Sequence, residues 1–478
     1  MGREERTPPA SQALRLLREI GKTPFEFQGE AVERVSSAAV DGERLLVQAP
    51  TGAGKTLIAY LNVAVAATRL GSALRTIVVV PSRPLMRQHA VDAGWLRETC
   101  RLPVHMLTPD DPMRIWEAVL AGPGLICTTP HALGSRLERL GGLEALPPFD
   151  LVQFDEIDLF LTVDRDERRD IWPTLDEFIR AGTPLVGYTG TSLSPIQERE
   201  WTSRAFTPWQ PAIPEEWLPF TSVRFEGVEN QQVIRADQEI SDELGAAYRR
   251  YQDLGGDPLS WRELKANAQA SGDLGNEARR ILTLHADRLL LFEGDHDRDG
   301  KVAAMLDAIR GQRALVLTRY VATAVAVAGA ITHEGIAAYQ ADGRMNAGEA
   351  ERYVSAFRTE DVPVLVITRD LGGRGLDFPS ADTAVVMSPR SNYQTVAQEL
   401  ARIRSRRQEP KTVTVLYYTQ TTETLKASRL ADHLVRDNRF GDHRLFEVEG
   451  VPQPPEVESQ FERAHFAVEE ALPPGYAE

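Results

Sequence analysis

The sequence from Arg44 to Thr56 reads Arg-Leu-Leu-Val-Gln-Ala-Pro-Thr-Gly-Ala-Gly-Lys-Thr. Its apolar start is typical of a buried strand, and the chain continues after Thr56 as the helix-prone run Leu-Ile-Ala-Tyr-Leu. Strand, Gly-rich turn and helix together form the context that a phosphate-binding loop requires. In such a loop, backbone N–H groups converge on phosphate oxygens at a helix N-terminus, where the dipole favours negative charge. The stretch therefore predicts a nucleoside-triphosphate site.

The residue types of this loop have separate roles. Small residues let the backbone approach the phosphates, Lys55 reaches the β- and γ-phosphates, and the Thr56 hydroxyl is a candidate ligand for Mg²⁺. Ala49 replaces the first glycine of the strict pattern. An ordinary Gly-rich turn is the alternative, which the intact Gly-Lys-Thr sequence and its flanks disfavour. The predicted nucleotide-binding residues here are Thr51, Gly52, Ala53, Gly54, Lys55 and Thr56.

The composition is that of a globular protein with several domains. At about 100–200 residues per domain, a chain of 478 residues is expected to form two to four. Cys100 and Cys127 are the only cysteines, which is typical of a reducing compartment, so we expect a cytoplasmic location. The sequence contains no run of about 18 apolar residues, and no membrane contact is predicted. The formal net charge of −15 disfavours adhesion of the whole surface to nucleic acid but permits a local basic groove.

Further apolar runs along the first half of the chain end in polar residues. Such strands, alternating with helical stretches, predict a doubly wound α/β domain with its ligands at the carboxyl ends of the strands. Asp155 and Glu156 follow one of these runs, Leu-Val-Gln-Phe. A carboxylate at that place can hold Mg²⁺, and its neighbour can orient and deprotonate the attacking water. We therefore assign Thr56 and Asp155 to the metal and Glu156 to the water.

Phe27 and Gln28 precede the loop in the sequence. A glutamine can bond an adenine edge, and an aromatic ring can cover the face of the base. A helix N-terminus packed by Phe25 and Phe27 explains the same residues equally well, so on this stretch alone both interpretations stay open.

The second half of the chain contains another α/β pattern. Arg313–Tyr320 opens it and Val364–Thr368 is a further predicted strand, directly before the Gly-rich segment Arg369–Pro379. Gln398–Arg407 is a basic run. Four tryptophans lie between the two patterns, and packing in a small core is favoured over stacking on bases. They are Trp201, Trp209, Trp217 and Trp261.

In their order, these stretches resemble the motifs of the superfamily 2 helicases, the group that includes the DEAD-box proteins. The resembling stretches of the first half are Phe27-Gln28 (Q motif), Ala49–Thr56 (I), Pro81–Gln88 (Ia), Thr129-Pro130 (Ib), Asp155–Asp158 (II) and Thr189–Thr191 (III). Those of the second half are Arg369–Pro379 (V) and Gln398–Arg407 (VI).

The resemblance implies two tandem RecA-like domains with ATP, Mg²⁺ and nucleic acid in the cleft between them. It places nucleotide contacts at Phe27, Gln28, Gly375 and Asp377. It implies contacts to the nucleic-acid backbone at Arg83, Thr129, Pro130, Thr318, Arg369 and Arg374. Arg369 stands where the family usually has Thr.

Motif VI departs from the family pattern. Ala401 replaces its glycine, and alignment on Gln398 puts Ser405 where the second arginine belongs. Arg402 fits the first arginine. On a helix, Arg406 lies one turn beyond Arg402 on the same face, which predicts Arg402 and Arg406 as the arginine fingers.

The predicted domains are residues 1–195, a linker with a helical insertion at 196–300, a second RecA-like domain at 301–425, and a helical tail at 426–478. The predicted function is that of an ATP-dependent nucleic-acid helicase or translocase. The alternative is a nucleotide-gated clamp or scaffold that does not unwind, which the altered motif VI favours. The insertion and the tail are candidate surfaces for a protein partner.

Overall fold

The structure is a computed structural model, and its description covers most of the chain. The described residues are 7–50, 52–81, 83–157, 172–190, 199, 201–258, 260–294, 300–342, 344–345, 347–359, 361–369, 378–390, 393–403, 405, 407–436, 438–453 and 468. The chain divides into two units, Met1–Leu218 and Pro219–Glu478, and each has a sheet of its own.

The first unit is built on a parallel sheet. Among the described residues it has seven strands in the order β3-β4-β2-β5-β6-β1-β7, and every neighbouring pair is parallel. The strands are β1 Arg44–Gln48, β2 Arg75–Val79, β3 Val104–Leu107, β4 Gly124–Thr128, β5 Leu151–Phe154, β6 Leu185–Thr189 and β7 Phe206–Trp209.

Helices connect these strands and cover the sheet. They are α1 Pro9–Glu19, α2 Glu26–Asp41, α3 Lys55–Leu70, α4 Arg83–Asp92, α5 Trp95–Thr99, α6 Met113–Ala121, α7 Pro130–Leu140 and α8 Trp172–Arg180. One core joins strand residues such as Ile77 and Val152 to Trp116, Leu133 and Phe178 of the helices. Strands covered in this way read as continuous apolar runs, which is why the sequence pattern predicts them.

The second unit repeats this architecture. Its described strands form a parallel sheet of seven, in the order β10-β11-β9-β12-β13-β8-β16. They are β8 Thr221–Val228, β9 Ala314–Thr318, β10 Ala338–Ala341, β11 Val364–Thr368, β12 Thr383–Val386, β13 Lys411–Tyr418 and β16 Phe446–Glu449. A short antiparallel hairpin, β14 Arg439–Phe440 and β15 His443–Arg444, precedes β16.

The helices of the second unit fall into two groups. Three of them pack together around Leu244, Tyr248 and Ile281, and Val468 joins the same core. These are α9 Gln231–Asp253, α10 Trp261–Ala268 and α11 Asp273–Gly294. The others accompany the sheet and are α12 Lys301–Ile309, α13 Val321–His333, α14 Ala347–Arg358, α15 Tyr393–Leu400 and α16 Thr422–Arg436.

The predicted domain boundaries differ from the structure in two places. Residues 196–300 are not only a linker with a helical insertion: the helices α9–α11 are present there, but the segment also supplies the edge strand β7 to the first sheet and β8 to the second. Residues 426–478 are not only helical, because β16 pairs in parallel with β8. Among the helices that the structure describes, none has the length and apolar character needed to cross a bilayer.

Candidate active site

The loop after β1 has the backbone of a phosphate cradle. Gly52 and Gly54 adopt positive φ angles of 88° and 84°, which a side chain would strain. A Cβ on Gly54 would also lie 3.1 Å from Nε2 of Gln28. Helix α3 then begins at Lys55, so its N-terminus is directed at the loop. The predicted Gly52–Gly54 turn and helix start are both present; Thr51 lies outside the described residues.

Lys55 and Glu156 form an ion pair inside this site. Lys55 is only 7% exposed, and its Nζ lies 3.7 Å from Oε1 of Glu156. The backbone N–H of Gly190, after β6, donates to Oε2 of the same carboxylate at 3.4 Å. Glu156 has a φ of 49°, an uncommon conformation for a residue with a side chain. The structure therefore brings together the loop lysine and the carboxylate assigned to the water, and backbone strain of this kind clusters at functional sites.

Asp155 is held by two hydrogen bonds. Its Oδ2 lies 3.0 Å from Nε2 of His89, and its Oδ1 accepts from the backbone N–H of Glu156 at 3.2 Å. Burial raises the pKa of Asp155, but the hydrogen bond and electrostatic interaction with His89 and the charge of Lys55 outweigh it. The pKa therefore lies below its ordinary value, and the group is a carboxylate.

The Asp155 carboxylate suits a Mg²⁺ ion whose other ligands include the phosphates of a bound nucleotide. Within the described part of the chain, no group of three or more His, Cys, Asp and Glu side chains could by itself hold a metal. Mg²⁺ commonly uses one or two carboxylates together with substrate phosphates instead of a cage made only of protein. Asp155 and Thr56, the second residue of α3, are the groups available for that arrangement.

The candidate base-binding side of the site contains one aromatic contact that the sequence did not predict. Gln28 is buried, its Oε1 accepts from the backbone N–H of Phe25 at 3.3 Å, and its amide nitrogen faces Gly54. Phe27 belongs to the core, whereas Phe25 is half-buried and its ring lies against Trp217 with centroids 4.3 Å apart. If an aromatic face covers a base here, Phe25 is better placed than Phe27.

The candidate nucleic-acid residues stand at element ends. Arg83 begins α4, Pro130 begins α7 after Thr129, and Thr318 ends β9, so all of them lie near the carboxyl edge of a sheet. The Thr318 side chain is buried, and its hydroxyl donates to the Tyr320 carbonyl at 3.4 Å. Arg374, Gly375 and Asp377 lie outside the described residues.

Arg369 is placed differently from the expectation. It follows β11, as predicted, but only 2% of it is exposed. Its Nη2 donates to the Ser388 carbonyl at 2.6 Å, and its Nε lies 3.5 Å from Oε2 of Glu399. In this conformation the guanidinium faces protein groups, so a contact with a phosphate stays a prediction that requires Arg369 to leave them.

The α-helix assumed for motif VI ends before Arg402. Helix α15 ends at Leu400, a short 3-10 turn covers Ala401–Ile403, and residue 405 is not helical. Arg402 is buried in that turn. Arg406 lies outside the described residues, so the pairing of Arg402 with Arg406 stays a prediction. The polar and Gly-poor sequence after Leu400 gave no signal of this break.

Two family models match the chain. One, described as DEAD/DEAH box helicase, matches residues 25–194, which include the loop and the Asp155-Glu156 pair. The other, described as Helicase conserved C-terminal domain, matches residues 300–406. This chain belongs to the superfamily 2 helicases of the DEAD-box group.

Individual relatives of this superfamily 2 helicase are distant. The ATP-dependent RNA helicase DBP8 of Mycosarcoma maydis is 27% identical over 146 residues, 30% of this chain and only 25% of that relative's length. A variant of S. cerevisiae Dbp5 bound to RNA and ADP BeF3 matches with a TM-score of 0.58 and 14% identity over 93% of each chain. Mycobacterium smegmatis helicase Lhr bound to ssDNA and AMP-PNP matches with a TM-score of 0.57 and 15% identity, covering 91% of this chain and 50% of that one. At these identities the likeness shows the fold, two tandem RecA-like α/β domains.

Proposed function

We propose that this superfamily 2 helicase hydrolyses ATP and uses the turnover to move along, or to separate, nucleic-acid strands. One observation carries the proposal. Lys55, Asp155 and Glu156 converge at the carboxyl edge of the first sheet, with Lys55 and Glu156 already paired at 3.7 Å. A buried cation beside two carboxylates with different hydrogen-bond partners suits a site that binds a polyphosphate and activates water.

Each residue has a separate task in the proposed reaction. The Gly52–Gly54 backbone and Lys55 bind the β- and γ-phosphates, while Thr56 and Asp155 hold the metal. Mg²⁺, when bound, neutralises charge that develops on the phosphate oxygens. Glu156, fixed by the Gly190 N–H, orients the attacking water and accepts its proton. Gln28 and Phe25 face the base.

The proposed polymer substrate is single-stranded nucleic acid held mainly through its backbone, with little sequence preference. RNA and DNA are both reasonable first substrates, since the Dbp5 structure contains RNA and the Lhr structure contains ssDNA. The described residues proposed to contact this strand are Arg83, Thr129, Pro130, Thr318 and, once released from Ser388 and Glu399, Arg369. A protein partner bound by α9–α11 or by the C-terminal residues stays a prediction, as does a cytoplasmic location.

A nucleotide-gated clamp is the second candidate, and one observation favours it. Ser405, at the place of the second arginine, is buried, and its hydroxyl accepts from the Lys411 N–H at 2.6 Å. It therefore has a structural role in the second unit and brings no charge to a phosphate.

Strand separation distinguishes the two candidates. A labelled duplex with a single-stranded tail is incubated with the chain and ATP, or with a non-hydrolysable ATP analogue. We expect strands to separate only with ATP. Nucleotide-dependent binding of the tail without separation of either a DNA or an RNA duplex would favour the clamp.

A further inference from the structure

His89 is a buried histidine for which the proposed reaction has no role so far. It lies on α4, only 1% of it is exposed, and its Nε2 lies 3.0 Å from Oδ2 of Asp155. Because a carboxylate only accepts hydrogen bonds, Nε2 carries the hydrogen of this bond. The other ring nitrogen, Nδ1, makes no hydrogen bond to any residue that the structure describes. The polar contact of the imidazole is therefore directed at Asp155 alone.

Tyr60 contacts both the backbone and the ring of His89. Tyr60 lies on α3, one turn after the Lys55-Thr56 pair, and its hydroxyl donates to the His89 carbonyl at 3.0 Å. Its ring meets the imidazole edge-on, with centroids 5.7 Å apart. The helix that begins at the phosphate loop thus supports α4 at the residue that bonds to Asp155.

These contacts fix the orientation of the Asp155 carboxylate. Oδ2 is bonded to His89 and Oδ1 accepts from the Glu156 N–H, so rotation of the carboxylate would break both bonds. Hydrogen bonds to a ligating carboxylate orient it and tune the metal, and their removal commonly costs about 10–100-fold in metal affinity or activity. If His89 were buried only for packing, its hydrogen bond would not need to fall on Oδ2 of Asp155.

We propose that His89 is a positioning residue for the metal site, which orients Asp155 toward a nucleotide-bound Mg²⁺, with Tyr60 holding His89 in place. The inference rests on the proposed function, because it needs Asp155 to serve a metal. His89 itself touches neither nucleotide nor metal in this assignment.

The test measures the Mg²⁺ requirement of nucleotide binding, without turnover. The fluorescent analogue N-methylanthraniloyl-ADP is bound to the full chain, and MgCl₂ is titrated. His89→Phe keeps a ring beside Tyr60 but loses the donor, and His89→Gln keeps a donor near the Nε2 position. His105→Phe, on the edge strand β3, is the matched control.

We expect His89→Phe to raise the Mg²⁺ midpoint about 10–100-fold and to leave binding in EDTA unchanged. His89→Gln and His105→Phe should stay near the wild type. A His89→Phe chain with the wild-type midpoint, or a His89→Gln chain as impaired as His89→Phe, would overturn the inference.

Two further outcomes are distinguished from these: a variant that does not fold, and a failure of the proposed function itself. If His89→Phe does not fold, Tyr60→Phe decides: it removes one hydroxyl and should raise the midpoint in the same direction, and an unchanged midpoint would overturn the inference. If the wild-type chain binds the analogue with no Mg²⁺ dependence, the proposed function fails, and the inference fails with it.

Discussion

Glu156 adopts a strained backbone conformation at the residue where the proposed reaction needs a base. Its φ of 49° and the hydrogen bond from the Gly190 N–H hold the carboxylate beside Lys55. Such a pre-set geometry lowers the cost of arranging the water during turnover. The role of Glu156 is therefore testable by a change that keeps its shape.

We expect Glu156→Gln to bind ATP but to hydrolyse it about 10²–10⁴-fold more slowly, because the amide cannot accept the proton of the water. Turnover and nucleotide affinity are measured separately, and Glu117→Gln on the exposed face of α6 is the matched control. Unchanged turnover in Glu156→Gln would remove this residue from the mechanism.

At the level of elements, motif VI contains two arginines that the structure describes, Arg402 and Arg407, and their surroundings differ. Arg407 stacks over the Phe220 ring at 4.6 Å and donates to the Arg444 carbonyl at 3.0 Å, which is a structural role. Arg402, buried in the 3-10 turn, stays the candidate finger.

We expect Arg407→Ala to lower the free energy of unfolding by about 1–2 kcal/mol through the lost ring contact and hydrogen bond, with turnover preserved. Arg402→Ala should instead reduce turnover, by up to about 10³–10⁵-fold if it acts as a finger. Urea unfolding and ATPase assays on both variants check this. The reverse assignment, with turnover lost only in Arg407→Ala, would contradict it.

A buried ion pair joins two helices of the second unit. Nζ of Lys301, at the start of α12, lies 2.6 Å from Oε2 of Glu423 on α16, and the two side chains are 2% and 0% exposed. Burial lowers the pKa of Lys301 and raises that of Glu423, and the pairing opposes both shifts. The Tyr418 N–H also donates to this carboxylate at 2.9 Å.

We expect Lys301→Met to lower the free energy of unfolding by about 3–5 kcal/mol, because it leaves the Glu423 carboxylate buried without its cation. The double variant Lys301→Met/Glu423→Gln should lose less, since no buried charge remains. Urea unfolding measures both, with Lys265→Met on the exposed side of α10 as the control. A double variant less stable than the single one would contradict this account.

The elements that the sequence could predict are those with a strong local pattern. The central strands β1, β2, β5 and β11 are covered on both faces and read as apolar runs. Strand β7, at the edge of the first sheet, and β8, between β13 and β16 in the second, resemble a linker in sequence, because β8 alternates buried with more exposed residues and prolines lie within β7 and before β8. No sequence pattern predicts the role of His89, because its contact with Asp155 forms only when α4 packs on the sheet.

For the whole molecule, the two units supply different parts of the proposed function. The first carries the phosphate loop and the Asp155-Glu156 pair, and the second contributes motifs V and VI. The net charge of −15 makes the response to salt informative, because a chain repelled by polynucleotide overall must bind it through a local basic surface.

The most direct test of the central claim is steady-state ATP turnover with and without single-stranded RNA and DNA, at several salt concentrations, with Lys55→Ala as the inactive control. We predict that at least one polynucleotide stimulates turnover and that the stimulation weakens with salt, each neutralised phosphate contributing about −0.7 to the log–log slope of binding. Lys55→Ala should show no turnover above background, because the phosphates lose their fixed counter-charge. Wild-type turnover that is absent, or indifferent to every RNA and DNA tested, would contradict the account.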